Sequence, residues 1–312
     1  MIDKKVVVGV DVGGTLIKAG IIDLRKKKIV QKSIFPTPKT NSEDFINLLK
    51  EEVGQLCEMS TINYSQLCGI GIGIPGYVKN CQISMVWPFL KFIERKAFYK
   101  EVVKLLKLPV RIDNDARVVA LGEAYFGRIR LPQRLLSLTI GTGLGVVLIV
   151  NGLFQDNLPF SHMAGHIAVQ YGAGKCYYCG IDGCLESLIS GDSIIRRFKD
   201  AKGESLGSVF SQLNVEDVYK FAEEGDKDAE RIINSVVNYL IVGINSYIYL
   251  YAPDVIVLGG GQAIGLAKYL DQIQKGLVAK PFVKYKISIS ISKLGVDAGM
   301  LGSGALFLIN EI

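Results

Sequence analysis

Residues 5–24 read KVVVGVDVGGTLIKAGIIDL. Two runs rich in β-branched and aliphatic residues, Lys5 to Val12 and Leu16 to Leu24, are joined by Asp11-Val12-Gly13-Gly14-Thr15, which reads as a β-hairpin turned on glycine. The unit recurs. Leu135 to Ile140 and Val146 to Val150 are again apolar strands, joined by Gly141-Thr142-Gly143-Leu144-Gly145. Thr15 and Thr142 lie 127 positions apart, a weak internal duplication with one copy in each expected domain. Successive backbone N–H groups in a glycine-rich turn make a concave anion site, so a pair of such turns can clamp a polyphosphate. A single one is more often a plain tight hairpin. A third glycine cluster, Gly259-Gly260-Gly261, follows the strand Val255 to Leu258. No G-x4-G-K-[ST] occurs, so this is not a P-loop nucleotide site.

Outward from the hairpins, strands and helices alternate. After the strand Ile29 to Phe35, Ser42 can cap a helix whose apolar positions Phe45, Leu48, Leu49, Val53 and Leu56 share one face. The buried strand Leu67 to Ile74 ends at Pro75-Gly76. A helix over Ala97 to Leu106 leads to the short strand Val110 to Ile112 and a helix over Ala116 to Gly122. Helices near Asp192 to Lys199, Glu216 to Glu224 and Ala229 to Tyr251, a strand over Lys286 to Ser292 and a last helix about Gly299 to Ile309 complete an α/β pattern. Asp113-Asn114-Asp115 stands where a strand ends and a helix begins. Ligand-binding side chains in open α/β sheets gather at such ends, although Asp and Asn are also preferred N-caps and one of the three is expected to cap. Position decides between the two readings. The triplet lies between the two glycine hairpins, so Asp115 is read as a catalytic base and Asp11 as a carboxylate holding Mg2+ through water.

A length of 312 residues sets a prior of two domains, with ample chain for a core in each. The net charge of +6 comes from scattered lysines apart from Arg25-Lys26-Lys27-Lys28, which reads as a solvated hairpin turn, so no nucleic-acid partner is inferred. The uncharged runs Leu135 to Gln155 and Ser235 to Pro253 are interrupted by glycines in one case and by Asn238, Asn245 and Ser246 in the other. Both suit a buried core better than a membrane. No secretory signal is visible, so the expected compartment is the cytoplasm, where paired disulfides are not expected.

Both histidines and three of the six cysteines fall within residues 161–191, SHMAGHIAVQYGAGKCYYCGIDGCLESLISG. His166, Cys176, Cys179 and Cys184 have the spacing H-x9-C-x2-C-x4-C, suited to tetrahedral Zn2+ with four protein ligands. Four protein ligands leave no open position, which makes the expected site structural. Gly180 and Gly183 tolerate the positive φ that a tight knuckle requires. Glu186, two residues beyond the last cysteine, is then fixed close to the metal. Without a metal the same residues are simply half-buried cysteines and a loop histidine; Cys57, Cys68 and Cys81 are read that way, as small buried hydrophobes.

Taken together these motifs resemble the ROK family of repressors, open reading frames and sugar kinases. The resemblance extends over essentially the whole chain. Asp11-Val12-Gly13-Gly14-Thr15 looks like the family's first phosphate motif, Ile140-Gly141-Thr142-Gly143-Leu144-Gly145 like its second, and Gly259-Gly260-Gly261 like its adenosine-side turn. The resemblance implies a two-domain actin-like ATPase (ribonuclease H-like) α/β fold with a cleft between the domains. Residues 1–114 with 297–312 would form the smaller domain and 115–296 the larger. It further implies ATP, Mg2+ and Zn2+, with transfer of phosphate to the 6-hydroxyl of a hexose or hexose derivative such as an N-acetylhexosamine. Asp115 would be the base, and Asn114, Glu186, His166 and Gly76 would contact the sugar. His166 would also bind zinc, and the chain would assemble as a homodimer or homotetramer. Two positions depart from the family pattern by replacing a polar group with an apolar one. Met163 stands where a sugar-binding glutamate is common, and an aromatic occupies the Trp87-Pro88-Phe89-Leu90 loop. Loss of a partner for a sugar hydroxyl costs ~1–3 kcal/mol, enough to reorder hexose preference, so glucose is not inherited as the expected substrate. The alternatives are a sugar-responsive regulator without a DNA-binding domain, since Asp11 already opens the first motif, and an actin-like assembly ATPase, in which the cysteine stretch would have no purpose.

Overall fold

A strand buried on both faces needs no polar alternation, which accounts for the unbroken valine run at the start of the chain. In the computed structural model, β1 (Val6–Val12) is the central strand of its sheet, with Val7, Val8 and Val10 fully buried. The structure describes residues 6–95, 97–128, 130–156, 160, 162–203, 213–278 and 286–309. Ser161, which heads the cysteine-rich stretch, and residues 310–312 of the expected smaller domain lie outside them. The chain folds as two compact units: Met1–Leu131 with Gly152–Phe154 and Leu294–Ile312, and Pro132–Asn151 with Gln155–Lys293.

In the first unit, β1 pairs antiparallel with β2 (Leu16–Asp23), and β2 antiparallel with the edge strand β3 (Lys28–Pro36). On its other side β1 runs parallel to β4 (Leu67–Ile74), and β4 parallel to β7 (Val110–Asn114). A separate hairpin, β5 (Gly76–Lys79) and β6 (Gln82–Val86), follows β4. Helices α1 (Ser42–Ser60) and α2 (Phe98–Leu106) belong to the same core, where Phe45 contacts Phe92 and Phe98 in tilted ring pairs. The cap of α1 is Asn41 rather than Ser42: its side chain accepts the Asp44 N–H, while the Ser42 hydroxyl accepts from Arg95. Arg25-Lys26-Lys27-Lys28 is a hairpin turn as expected, with the Arg25 and Lys26 N–H groups donating to Asp23.

This unit also contains α3 (Asp115–Tyr125) and the late helix α10 (Ala298–Ala305), so the compact units divide after Leu131 rather than after Asn114, and the chain returns at Leu294 rather than at 297. The reason is backbone packing. A Cβ at Gly302 of α10 would lie 1.6 Å from the Val118 carbonyl oxygen of α3, so the two helices fit only with glycine there. Against the sheet α10 is equally close: a Cβ at Gly71 of β4 would meet the Ser303 carbonyl at 1.8 Å, and the Ser303 hydroxyl donates to the Val10 carbonyl.

The second unit repeats the strand plan. Its central strand β8 (Arg134–Ile140) pairs antiparallel with β9 (Leu144–Val150) and parallel with β11 (Val255–Gly259), which is parallel to β12 (Ser288–Ile291). The two-residue strand β10 (Leu153–Phe154) belongs to the first unit. Helices α4 (Leu185–Ile189), α5 (Gly191–Lys202), α6 (Val215–Glu223), α7 (Lys227–Tyr251), α8 (Ala263–Ala267) and α9 (Leu270–Gly276) complete it. By length and composition α7 can cross a membrane, yet Ile233, Val237, Leu240, Ile244 and Tyr247 are fully buried in this unit's core, which makes it a core helix.

Candidate active site and metal cluster

In the first unit the parallel strands bring their C-terminal ends together. Asp11 is in register with Gly73 of β4, and Gly73 with Asp113 of β7. Asp11 thus lies two strands away from the Asp113-Asn114-Asp115 junction, about 10 Å across at ordinary strand spacing. Burial pushes the Asp11 carboxyl up to about 6; the charge of Lys18, directly opposite on β2, works against that rise, and Asp115 adds to it. Space for the carboxyl is provided by Gly299, where a Cβ would lie 2.5 Å from Asp11 Cγ. The β1–β2 turn exposes Gly14 and Thr15; the Gly13 N–H donates to the Leu16 carbonyl, and Thr37 binds both ends through its hydroxyl to Gly13 and its N–H to Thr15.

At the end of β7 the three polar residues have different tasks. Asp113 forms an ion pair with Arg117 at 2.7 Å, and Arg117 stacks over the Phe154 ring at 3.9 Å. Asn114 is the N-cap of α3, its oxygen accepting the Arg117 N–H at 3.1 Å. Its amide nitrogen donates to the Gly76 carbonyl and to Asp115 Oδ1, both at 2.8 Å. Asp115 Oδ1 also accepts the Ala116 N–H at 2.8 Å. Burial raises the Asp115 carboxyl, with these hydrogen bonds opposing it. Gly76 has no room for a side chain, since a Cβ would lie 2.1 Å from the Met85 carbonyl.

The second unit has the corresponding arrangement. The β8–β9 turn, Gly141-Thr142-Gly143, closes with the Gly141 N–H donating to Gly143, and the Leu144 N–H donates to Glu186 Oε2 at 2.8 Å. The turn Gly259-Gly260-Gly261 follows β11. Gly260 sits at φ +86°, with the position of a Cβ only 2.4 Å from the Ile140 carbonyl, a place for glycine alone. Gln262, which the sequence reading overlooked, is buried and joins the two turns; a polar residue directly after three glycines was the available signal.

The candidate metal cluster lies in the same unit. The ligand atoms of His166, Cys176, Cys179 and Cys184 all fall within 4.8 Å of one another, and His166 Nδ1 is 3.5 Å from Cys184 Sγ. Thiolates around tetrahedral zinc stand about 3.8 Å apart at Zn–S distances of about 2.3 Å, so the donor set fits a closed Cys3His zinc site. Burial pushes the Cys184 thiol up to about 12; at Cys176 burial acts in the same direction, but hydrogen bonds from Cys179 and Tyr178 leave that thiol below its ordinary value. The knuckle needs its glycines, Gly180 at φ +73° and Gly183 at φ +67°. Asp182 secures the approach by accepting the N–H groups of Gly172 and Gly174, each at 2.8 Å. Glu186, in the first turn of α4, is adjacent to the cluster: Oε1 lies 3.8 Å from His166 Nδ1.

Two sheets with one strand plan, each with a glycine hairpin, and a carboxylate at the end of a parallel strand define the actin-like ATPase class. The ROK hexokinase of Thermus thermophilus superposes with a TM-score of 0.77 at 27% identity, covering 96% of this chain and 97% of that one. The chain belongs to the ROK family, whose model matches residues 7–310. Among its relatives, a glucokinase of Halalkalibacterium halodurans is 30% identical over 96% of this chain and 94% of its own length. An N-acetyl-D-glucosamine kinase of Haemophilus influenzae is 27% identical over 96% and 98% respectively.

Proposed function

We propose that the protein is an ATP-dependent kinase that phosphorylates the 6-hydroxyl of a hexose or N-acetylhexosamine. The observation that carries this reading is the state of Asp115. Its Oδ1 is occupied by two hydrogen bonds, from Asn114 and Ala116, and burial raises its basicity. Oδ2 is therefore the atom assigned to the proton. As the sugar oxygen bonds to the γ-phosphorus, its proton passes to Asp115 Oδ2, the bond from phosphorus to the bridging oxygen breaks, and that electron pair leaves with ADP. A carboxyl raised toward neutrality is a better base at pH 7 than an ordinary one, and such bases contribute ~10²–10⁴-fold.

Both amide hydrogens of Asn114 are committed to Gly76 and Asp115, so Asn114 meets the sugar as an acceptor, through its oxygen. His166 and Glu186 of the second unit are the other proposed sugar ligands. The turns at Gly13, Gly14 and Thr15, at Gly141, Thr142 and Gly143, and at Gly259, Gly260 and Gly261 are assigned to ATP, with the N–H groups of Gly13 and Gly141 engaged in closing their own turns. Asp11, a desolvated carboxylate, suits a divalent cation held through water, and Mg2+ bound there neutralises phosphate charge. His166, Cys176, Cys179 and Cys184 would hold Zn2+, which supplies a rigid knuckle and no open coordination position. In this reading the enzyme works in the cytoplasm as a homo-oligomer.

The test is ADP release measured over a panel of hexoses and N-acetylhexosamines, for the wild type and Asp115→Asn. Turnover of the variant falls ~10²–10⁴-fold while calorimetry still detects sugar binding. A variant keeping a large share of wild-type kcat refutes the assigned base. A kcat/KM for glucose far above all the others refutes the substrate expectation drawn from Met163 and the Trp87 loop.

A further inference from the structure

A glutamine buried to 1% exposure needs a partner for every polar atom, or folding would leave an amide unsatisfied in the interior. Gln262 meets that condition with contacts to four places in the second unit. Its backbone N–H donates to the Ile140 carbonyl at 3.1 Å, at the end of β8. Its side-chain Nε2 donates to the Gly141 carbonyl at 3.3 Å and to the Ile189 carbonyl at 3.1 Å. Its Oε1 accepts the Tyr219 hydroxyl at 3.2 Å. Tyr219 is itself buried, which pushes its phenol above the ordinary value and keeps the hydroxyl a donor at any working pH. The Gly141 carbonyl has one further donor, the Gly191 N–H at 2.8 Å.

The side chain therefore ties the β8–β9 turn to the turn after β11 and to the end of α4. We infer that Gln262 is a positioning residue for nucleotide binding: by holding the Gly141 carbonyl in the protein interior, it fixes the Gly141–Thr142 peptide plane and so turns the Thr142 N–H outward toward phosphate, the Gly141 N–H being engaged by Gly143 within the turn. The inference rests on the assignment of that turn to ATP. Tyr219 sets the orientation of the amide, because only the oxygen of Gln262 can accept a phenolic proton, and this leaves the nitrogen for the two carbonyls. No step of the chemistry passes through Gln262, so its loss acts on nucleotide affinity more than on the sugar or on the base.

The experiment compares wild type, Gln262→Leu, Tyr219→Phe and the double variant by steady-state kinetics, by calorimetric titration with ADP and with sugar, and by thermal unfolding. Gln262→Leu keeps the bulk and removes every side-chain hydrogen bond. It raises KM for ATP and Kd for ADP about tenfold, with kcat changed less than about threefold and sugar affinity unchanged. Tyr219→Phe gives a smaller rise in the same two constants. The double variant resembles Gln262→Leu alone, because both substitutions interrupt one network. Wild-type nucleotide affinity in Gln262→Leu overturns the proposal. So does a parallel loss of nucleotide and sugar affinity that follows a fall in Tm, which marks a merely structural role. Should Gln262→Leu fail to fold, Tyr219→Phe decides alone, and unchanged ADP affinity there also overturns it. A wild type that binds ADP yet phosphorylates no sugar counts against the kinase reading and leaves this test in force.

Discussion

Asp11→Asn separates what burial costs the fold from what the carboxylate contributes to nucleotide binding. At the end of β1 the Asp11 carboxyl is pushed from 3.8 to about 6. Roughly two pKa units correspond to about 3 kcal/mol by which folding disfavours its ionised form. Because the folded value lies above the unfolded one, the native chain binds this proton more tightly between the two. Stability from this group is therefore greatest below about pH 4, declines as pH rises through about 6, and is level above that. Asparagine has the same shape and no charge to desolvate. In metal-free buffer at pH 7, Asp11→Asn is expected to be more stable than the wild type by up to about 3 kcal/mol, and the advantage should disappear toward pH 4. Urea unfolding followed by far-UV circular dichroism between pH 4 and 8, with a chelator present, measures the difference directly. The same variant should lose affinity for ATP with Mg2+, so that stability and function move in opposite directions. Parallel stability curves for the two proteins across that pH range would refute the desolvation argument.

Two further outcomes can be checked with little material. Elemental analysis should find one zinc per chain. Stripping it with a strong chelator, or Cys176→Ser, should lower Tm and weaken sugar affinity ~10–100-fold through His166 and Glu186; fully active protein free of transition metal excludes the zinc site. Gly76→Ala places a Cβ 2.1 Å from the Met85 carbonyl and must shift the carbonyl that anchors Asn114. A stability loss of ~1–3 kcal/mol in denaturant unfolding is expected together with reduced kcat, and a variant with wild-type kcat would show that this anchor is dispensable.

Much of the site was legible because it is local in sequence. A glycine hairpin carries its own turn chemistry, and the cysteine spacing matches the reach of four ligands around one ion. The β-branched run of β1 likewise announced a strand, although its central place in the sheet came only with the structure. What escaped the reading depends on contacts distant in the chain. The place of α3 is decided by backbone meeting backbone at Gly302 and Val118, which leaves no apolar pattern to follow. The β5–β6 hairpin turns on Asn80 and Cys81 at φ +50° and +59°, with no glycine to signal it. Gln262 escaped because a polar side chain reads as surface until its partners, 121 and 73 positions away, are known. At Asp113 the clue was available, since an acid four residues before an arginine is a familiar helix pair; the structure makes it the brace of the junction rather than part of the chemistry.

The closeness of α10 to β1 and β4 has a consequence for synthesis on the ribosome. The glycines of those early strands are shaped to receive a helix that is translated some 290 residues after β1 begins. On the face that α10 occupies, the amino-terminal sheet meets only α3 early in synthesis and has to wait for the rest of its cover until almost the whole polypeptide has been made. The inserted unit, contiguous apart from three residues, can finish first. Nascent chains of this protein should therefore mature from the middle outward, and the long-exposed early strands are where a chaperone would be needed most.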